Sequence, residues 1–159
     1  MFRSRLPLIT IVLSLLAFLI PACAAGEDDT PTPAMENMAM AEVLEDLDTS
    51  TTRMTEQGAF QVSVSSNLDP LDINEIHSWT IHLERPDGQA VENAQIAVDG
   101  GMPQHNHGFP TAPEVTEELG GGDYLLEGVR FNMAGWWELK LAITAGDQTD
   151  DVTFNLVLP

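Results

Sequence analysis

Four side chains carry most of the chemistry that this sequence offers: Met102, His105, His107 and Met133. His105 and His107 are one residue apart in Gly100-Gly101-Met102-Pro103-Gln104-His105-Asn106-His107-Gly108-Phe109-Pro110-Thr111-Ala112-Pro113, and Met102 stands three positions before the first of them. Neutral imidazole is a ligand for Cu(I), Cu(II) and Zn(II), and a thioether adds a soft donor that Cu(I) accepts well. The combination points to copper. Glycine and proline crowd the stretch, which argues against a helix and against a long strand, and leaves a shaped loop that presents imidazole and thioether. Met133 lies in another loop, with Asn132, Ala134 and Gly135 around it. The plainer reading of all four is packing: thioethers fill gaps beneath loops, and imidazoles hydrogen-bond to turns.

The chain around these residues has 159 positions, room for one domain of ordinary size. Arg3 and Arg5 precede an uncharged apolar run over 6–20. That run is short for a membrane span and has the form of a secretory signal, assigned here to 1–22. Ile20-Pro21-Ala22-Cys23 resembles the lipobox of bacterial lipoproteins, in which the cysteine is acylated and becomes the mature N-terminus. Cys23 is the only cysteine, so lipidation is expected of it and an internal disulfide is excluded. The alternative is cleavage at the A-x-A site Ala22-Cys23-Ala24, which gives a soluble secreted or periplasmic protein. Loss of Arg3 and Arg5 leaves four basic residues against 25 acidic ones. Nucleic acid is therefore excluded as a partner, because phosphate binding needs Lys and Arg. The charge suits solubility outside the cytoplasm and a field that concentrates cations.

Residues 23–57 read as an acidic, methionine-containing tether, disordered where Gly26-Glu27-Asp28-Asp29-Thr30-Pro31-Thr32-Pro33 is acidic and proline-bearing. Helix formers are richer over 34–47, and Met35, Met38 and Met40 make an M-x-x-M-x-M cluster. Such thioethers can capture Cu(I), but the apolar face of a short helix is the better explanation of them.

The domain spans 58–159. Alternation of apolar and polar residues predicts seven short strands near 60–64, 77–84, 94–98, 114–119, 124–129, 137–143 and 152–158, separated by turn signals such as Arg85-Pro86-Asp87-Gly88. The fold class is all-β, an immunoglobulin-like β-sandwich. Trp79, Ile81, Leu83, Ile96, Val98, Leu139, Leu141, Phe154 and Leu156 are its expected core, with Phe131, Trp136 and Trp137 in or near it. His77 shares the face of Trp79, and His82 faces the other way into solvent. No Ser–His–acid arrangement is legible, the lone cysteine belongs to the signal region, and no glycine loop opens a helix, so an enzyme is not expected.

His77-Ser78-Trp79, the loop Met102-Pro103-Gln104-His105-Asn106-His107-Gly108, Gly122-Asp123-Tyr124 and Phe131-Asn132-Met133-Ala134-Gly135-Trp136-Trp137-Glu138-Leu139 together resemble the YtkA-like domain, a group related to the FixH-like proteins of the bacterial envelope. The resemblance covers roughly 60–159. It implies an immunoglobulin-like sandwich and export or membrane attachment, and by analogy a part in copper handling. The expected function is an exported, lipid-anchored copper-binding or copper-delivery domain of the cell envelope, with Met102, His105, His107 and Met133 as metal ligands and a copper-receiving envelope protein as partner. The alternative is a metal-free adhesion or assembly module.

Overall fold

The computed structural model describes residues 46–159. The signal segment, Cys23, Met35, Met38 and Met40 lie outside the described residues. So does the helix read over 34–47, apart from its last two positions, which are not helical.

Nine strands follow: β1 (Thr52–Met54), β2 (Gln61–Ser66), β3 (His77–Glu84), β4 (Gln95–Met102), β5 (His107–Gly108), β6 (Glu114–Gly120), β7 (Asp123–Val129), β8 (Gly135–Ala145) and β9 (Gln148–Leu158), with a 3₁₀ turn over Pro103–His105. They form two sheets, ordered β1-β2-β3-β7-β6 and β5-β4-β8-β9, in which every pairing is antiparallel. The seven expected strands are all present. Without β1 and β5, the order β2-β3-β7-β6 against β4-β8-β9 is that of the seven-stranded constant-type immunoglobulin sandwich.

The period of two produces the layers. In β3, His77, Trp79, Ile81 and Leu83 are buried while the residues between them are half-buried. In β8, Trp137, Leu139, Leu141 and Ile143 point inward, and Val152, Phe154 and Leu158 of β9 do the same. The core fills the space between the two inner faces, as in other aligned sandwiches. Ile96, Val98 and Leu156 depart from expectation: they are half-buried and pack against the core from its margin. They stand on β4 and β9, the strands either side of β8, beside the fully buried row that β8 contributes. Trp136 sits on the outer face of β8, where its Nε1 donates to Asn155 Oδ1 at 3.0 Å.

β1 lies ahead of Gly58, within the stretch read as tether, and pairs with β2. Its surroundings close an edge that would otherwise invite further strands. Arg53 NH1 donates to Thr153 O at 2.8 Å, Glu56 N to Asp151 O at 2.8 Å, and Asn155 Nδ2 to Asp48 O at 3.0 Å, so 48–56 lines the outer edge of β9. Asp150, at the inward parity of β9 and 1% exposed, pins the adjoining turn. Its carboxylate accepts from Gln57 N at 3.0 Å and Ala59 N at 3.1 Å. Burial pushes this carboxyl up, but hydrogen bonds from Thr55, Ala59, Gln57 and Asp151 outweigh burial and bring its pKa down to about 2.

Candidate metal centre

The histidine stretch is more regular than a loop. β4 continues through Gly100, Gly101 and Met102, and His107–Gly108 folds back on it as β5, with Gly101 opposite Gly108 and Met102 opposite His107. The expectation that glycine would keep this stretch out of a strand fails for a steric reason. Gly100 and Gly101 have φ of +146° and +152°, values that disfavour any residue with a side chain. A β-carbon on Gly100 would lie 2.1 Å from Glu138 O, and one on Gly101 would lie 2.1 Å from His107 O. Their bare backbone lets β8 and β5 close on β4 from either side.

The reversal between β4 and β5 is equally specific. Pro103 opens the 3₁₀ turn, where a fixed φ is an advantage. Asn106 closes it in the left-handed conformation, φ 51°, with its N–H donating to Pro103 O at 3.3 Å. Asparagine tolerates that conformation better than most residues. His105 and His107 flank this kink, and their rings come together, centroids 6.0 Å apart and planes 26° from parallel. Both are exposed. Nδ1 of His107 lies 2.9 Å from Gly108 O. A carbonyl only accepts, so Nδ1 is the donor, and in the neutral imidazole the lone pair is then on Nε2. Orientation of a ligand histidine by its second nitrogen is the usual arrangement at metal sites.

Beneath the imidazoles lies an aromatic floor. Trp137, fully buried, meets the His107 ring edge-on at 5.7 Å, stacks on Phe109 at 5.6 Å and touches Phe131 at 5.2 Å. Met102 is opposite His107 on the ladder, so the two side chains share a face. It is 1% exposed and its terminal methyl would be 3.1 Å from a β-carbon at Gly135. Met133 is 39% exposed and is tied to the same floor through its backbone, its carbonyl accepting from Trp137 Nε1 at 3.1 Å. The structure therefore brings His105 and His107 together, sets Met102 opposite His107 on the ladder, and places Met133 beyond Trp137, which touches His107. Trp137 and Gly101 are parts of the site that the sequence motif alone did not single out.

A cleft of about 280 Å³ opens beside His107, bordered by Asp99, Asn106, Glu138 and Lys140. Glu138 Oε2 lies 2.8 Å from Lys140 Nζ, and that hydrogen bond and charge hold the ammonium's pKa above its ordinary value. Among the described residues, no three side chains of His, Cys, Asp and Glu are placed to hold one ion. An ion at His105 and His107 would take its further ligands from sulfur, backbone or water.

The other histidines stand apart. His77 is 9% exposed, its Nδ1 3.2 Å from Glu75 O and its ring 5.5 Å from Phe131. His82 is half-buried and not simply solvated: Asp123, on the neighbouring strand, places Oδ1 2.6 Å from its Nδ1.

A family model described as YtkA-like matches residues 54–142 of the chain. A solved structure, the ZirS C-terminal domain, is similar at 15% identity with a TM-score of 0.40, covering 90% of this chain and 92% of that one. No curated protein matches.

Proposed function

The chain belongs to the YtkA-like family, and we propose that this member is an exported, lipid-anchored domain that binds copper at His105 and His107 and passes it to a copper-receiving envelope protein. The observation that carries the reading is the pair of exposed imidazoles 6.0 Å apart, one of them donating from Nδ1 to the Gly108 carbonyl, so that its neutral form has the lone pair on Nε2. A shared ion would sit about 2.0–2.1 Å from one nitrogen of each ring, the usual distance for imidazole, which requires the two exposed rings to turn those nitrogens toward one point. The remaining donors are thioethers, which favour Cu(I) over zinc. In this site Met102 supplies sulfur from below and Met133 from the rim. When bound, copper would supply a soft, exchangeable centre. The chain's part is to orient imidazole, keep one flank apolar with Trp137 and Phe109, and leave the other open for transfer.

Electron paramagnetic resonance of the Cu(II)-loaded protein tests the reading. Hyperfine splitting from two imidazole nitrogens is expected, and it should vanish in His105→Ala/His107→Ala. A spectrum identical in that variant would place the copper elsewhere. Met133→Leu should weaken Cu(I) more than Cu(II), since only the soft ion gains much from sulfur.

A further inference from the structure

We propose that Cu(II) is held between two copies of this chain, His105 and His107 of each copy supplying the four nitrogen ligands; this rests on the copper reading above and names what completes the site in the oxidised state. The first observation is a shortage of imidazole. Cu(II) favours tetragonal ligation by nitrogen and oxygen and gains little from a thioether. The chain has four histidines. His77 is 9% exposed, and its ring lies against Trp79 and Phe131. His82, toward the other end of β3, is engaged by Asp123 Oδ1 at 2.6 Å and Glu84 Oε2 at 3.7 Å. Neither is placed to join His105 and His107. Among the described residues, no Asp or Glu makes a third ligand with them. A second copy brings the two imidazoles that one chain lacks.

The second observation is access. β5 is the outermost strand of its sheet, and both of its residues, His107 and Gly108, are exposed. The 3₁₀ turn that ends in His105 follows the last residue of β4 and buries none of its own residues. The imidazoles therefore stand at a corner of the sandwich, with a sheet edge on one side and a strand end on the other. A second domain can approach that corner without displacing any chain. Contact of the turn with the same turn on another copy is isologous, so assembly closes at two copies with the ion on the two-fold axis.

The third is charge. Two copies of a chain with 25 acidic and six basic residues repel one another. The histidine turn is where they repel least. Gly100 to Pro113, fourteen residues, contain no Asp, Glu, Lys or Arg. Neither does Phe131 to Trp137, whose Met133 is 39% exposed at the same end. Glu138, at the cleft beside His107, is paired with Lys140 Nζ at 2.8 Å. The exposed carboxylates Asp72 and Glu75 belong to the loop between β2 and β3, on the other sheet. Cu(II) sets two positive charges between the copies. Metal-free protein is accordingly a monomer, and the ion is what joins it. The step is ligand exchange alone: four neutral imidazoles replace water on Cu(II), and no electron moves.

The test uses the full mature chain carrying Cys23→Ser, which removes a thiol that would itself take copper. Mass by light scattering is followed as Cu(II) is added at about pH 7.5, where imidazole is neutral. The mass should double at half an equivalent and return to that of one chain on addition of EDTA. Paramagnetic resonance at half an equivalent should show four nitrogens, giving way to the two-nitrogen signal at a full equivalent. His105→Ala/His107→Ala should stay monomeric. Gln104→Glu, which adds a carboxylate from each copy to the uncharged turn, should weaken the dimer by at least about tenfold and spare one-to-one Cu(II) binding. Raising ionic strength from about 0.01 to about 0.15 M, which shortens the Debye length from about 30 to about 8 Å, should strengthen the dimer. A monomer at every ratio, with one Cu(II) bound through His105 and His107, would overturn this inference and spare the copper reading. A dimer that survives EDTA or is indifferent to Gln104→Glu would also overturn it. A protein that binds no Cu(II) would remove both.

Discussion

Gly101→Ala isolates the geometry that positions His107. The added methyl carbon would stand 2.1 Å from His107 O and 2.6 Å from Gly108 Cα. Non-bonded carbons settle at about 3.5–4.0 Å, so β5 must retreat by about 1 Å. Metal–ligand distances are held within about 0.2 Å, and a displacement several times larger should separate His107 from an ion shared with His105. The expected loss of Cu(II) affinity is at least tenfold, about 1.4 kcal/mol. The backbone adds a second effect, since a φ of +152° on a residue with a side chain costs about 1–3 kcal/mol of stability. Gly108→Ala is the matched control, because its β-carbon would make only an ordinary contact, 3.4 Å from Gly100 O. Competition titration of copper and urea denaturation, run on both variants, separate binding from folding. Wild-type copper affinity in a folded Gly101→Ala protein would refute the reasoning, because β5 would then not be what places His107.

Three further outcomes follow from the structure. Leu141→Ala removes a side chain 1% exposed between the sheets and should cost about 2–5 kcal/mol, read as a lower urea midpoint; an unchanged midpoint would contradict the core. Asp150 has a folded pKa of about 2 against about 3.9 unfolded, so its stabilising contribution is complete above about pH 4 and is lost as pH falls through about 2. Asp150→Asn should flatten that part of the acid-unfolding profile, and an identical profile would deny the carboxylate its role. Mass spectrometry of the mature N-terminus should find Cys23 acylated, whereas an unmodified chain starting at Ala25 would establish A-x-A cleavage.

The fold was legible because period-two alternation survives in seven strands, β3 and β8 above all. β1 was not, since Thr52-Arg53-Met54 has no buried face and owes its place to pairing with β2 and to the cover that its neighbours give β9. β5 has two residues, too few for any period, and its only trace in the sequence is the Gly100-Gly101 pair that allows its approach. The partner that takes His82 out of bulk solvent, Asp123, is distant in sequence, so no local pattern could reveal it. Asp150 did leave a trace: it shares the inward parity of Val152 and Phe154, and a carboxylate at such a position must be paired or hydrogen-bonded. Of the proposed ligands, the closeness of His105 and His107 was readable from H-x-H. The burial of Met102 and the Trp137 floor required the register of β4 on β5 and the fold-back of the aromatic cluster.

The most direct measurement is competition titration of Cu(I) and Cu(II) into the mature protein and into His105→Ala/His107→Ala. The wild type should bind both ions and the double variant should lose Cu(II) entirely and most of its Cu(I) affinity; equal affinities in the two proteins, or no copper bound by the wild type, would contradict the account.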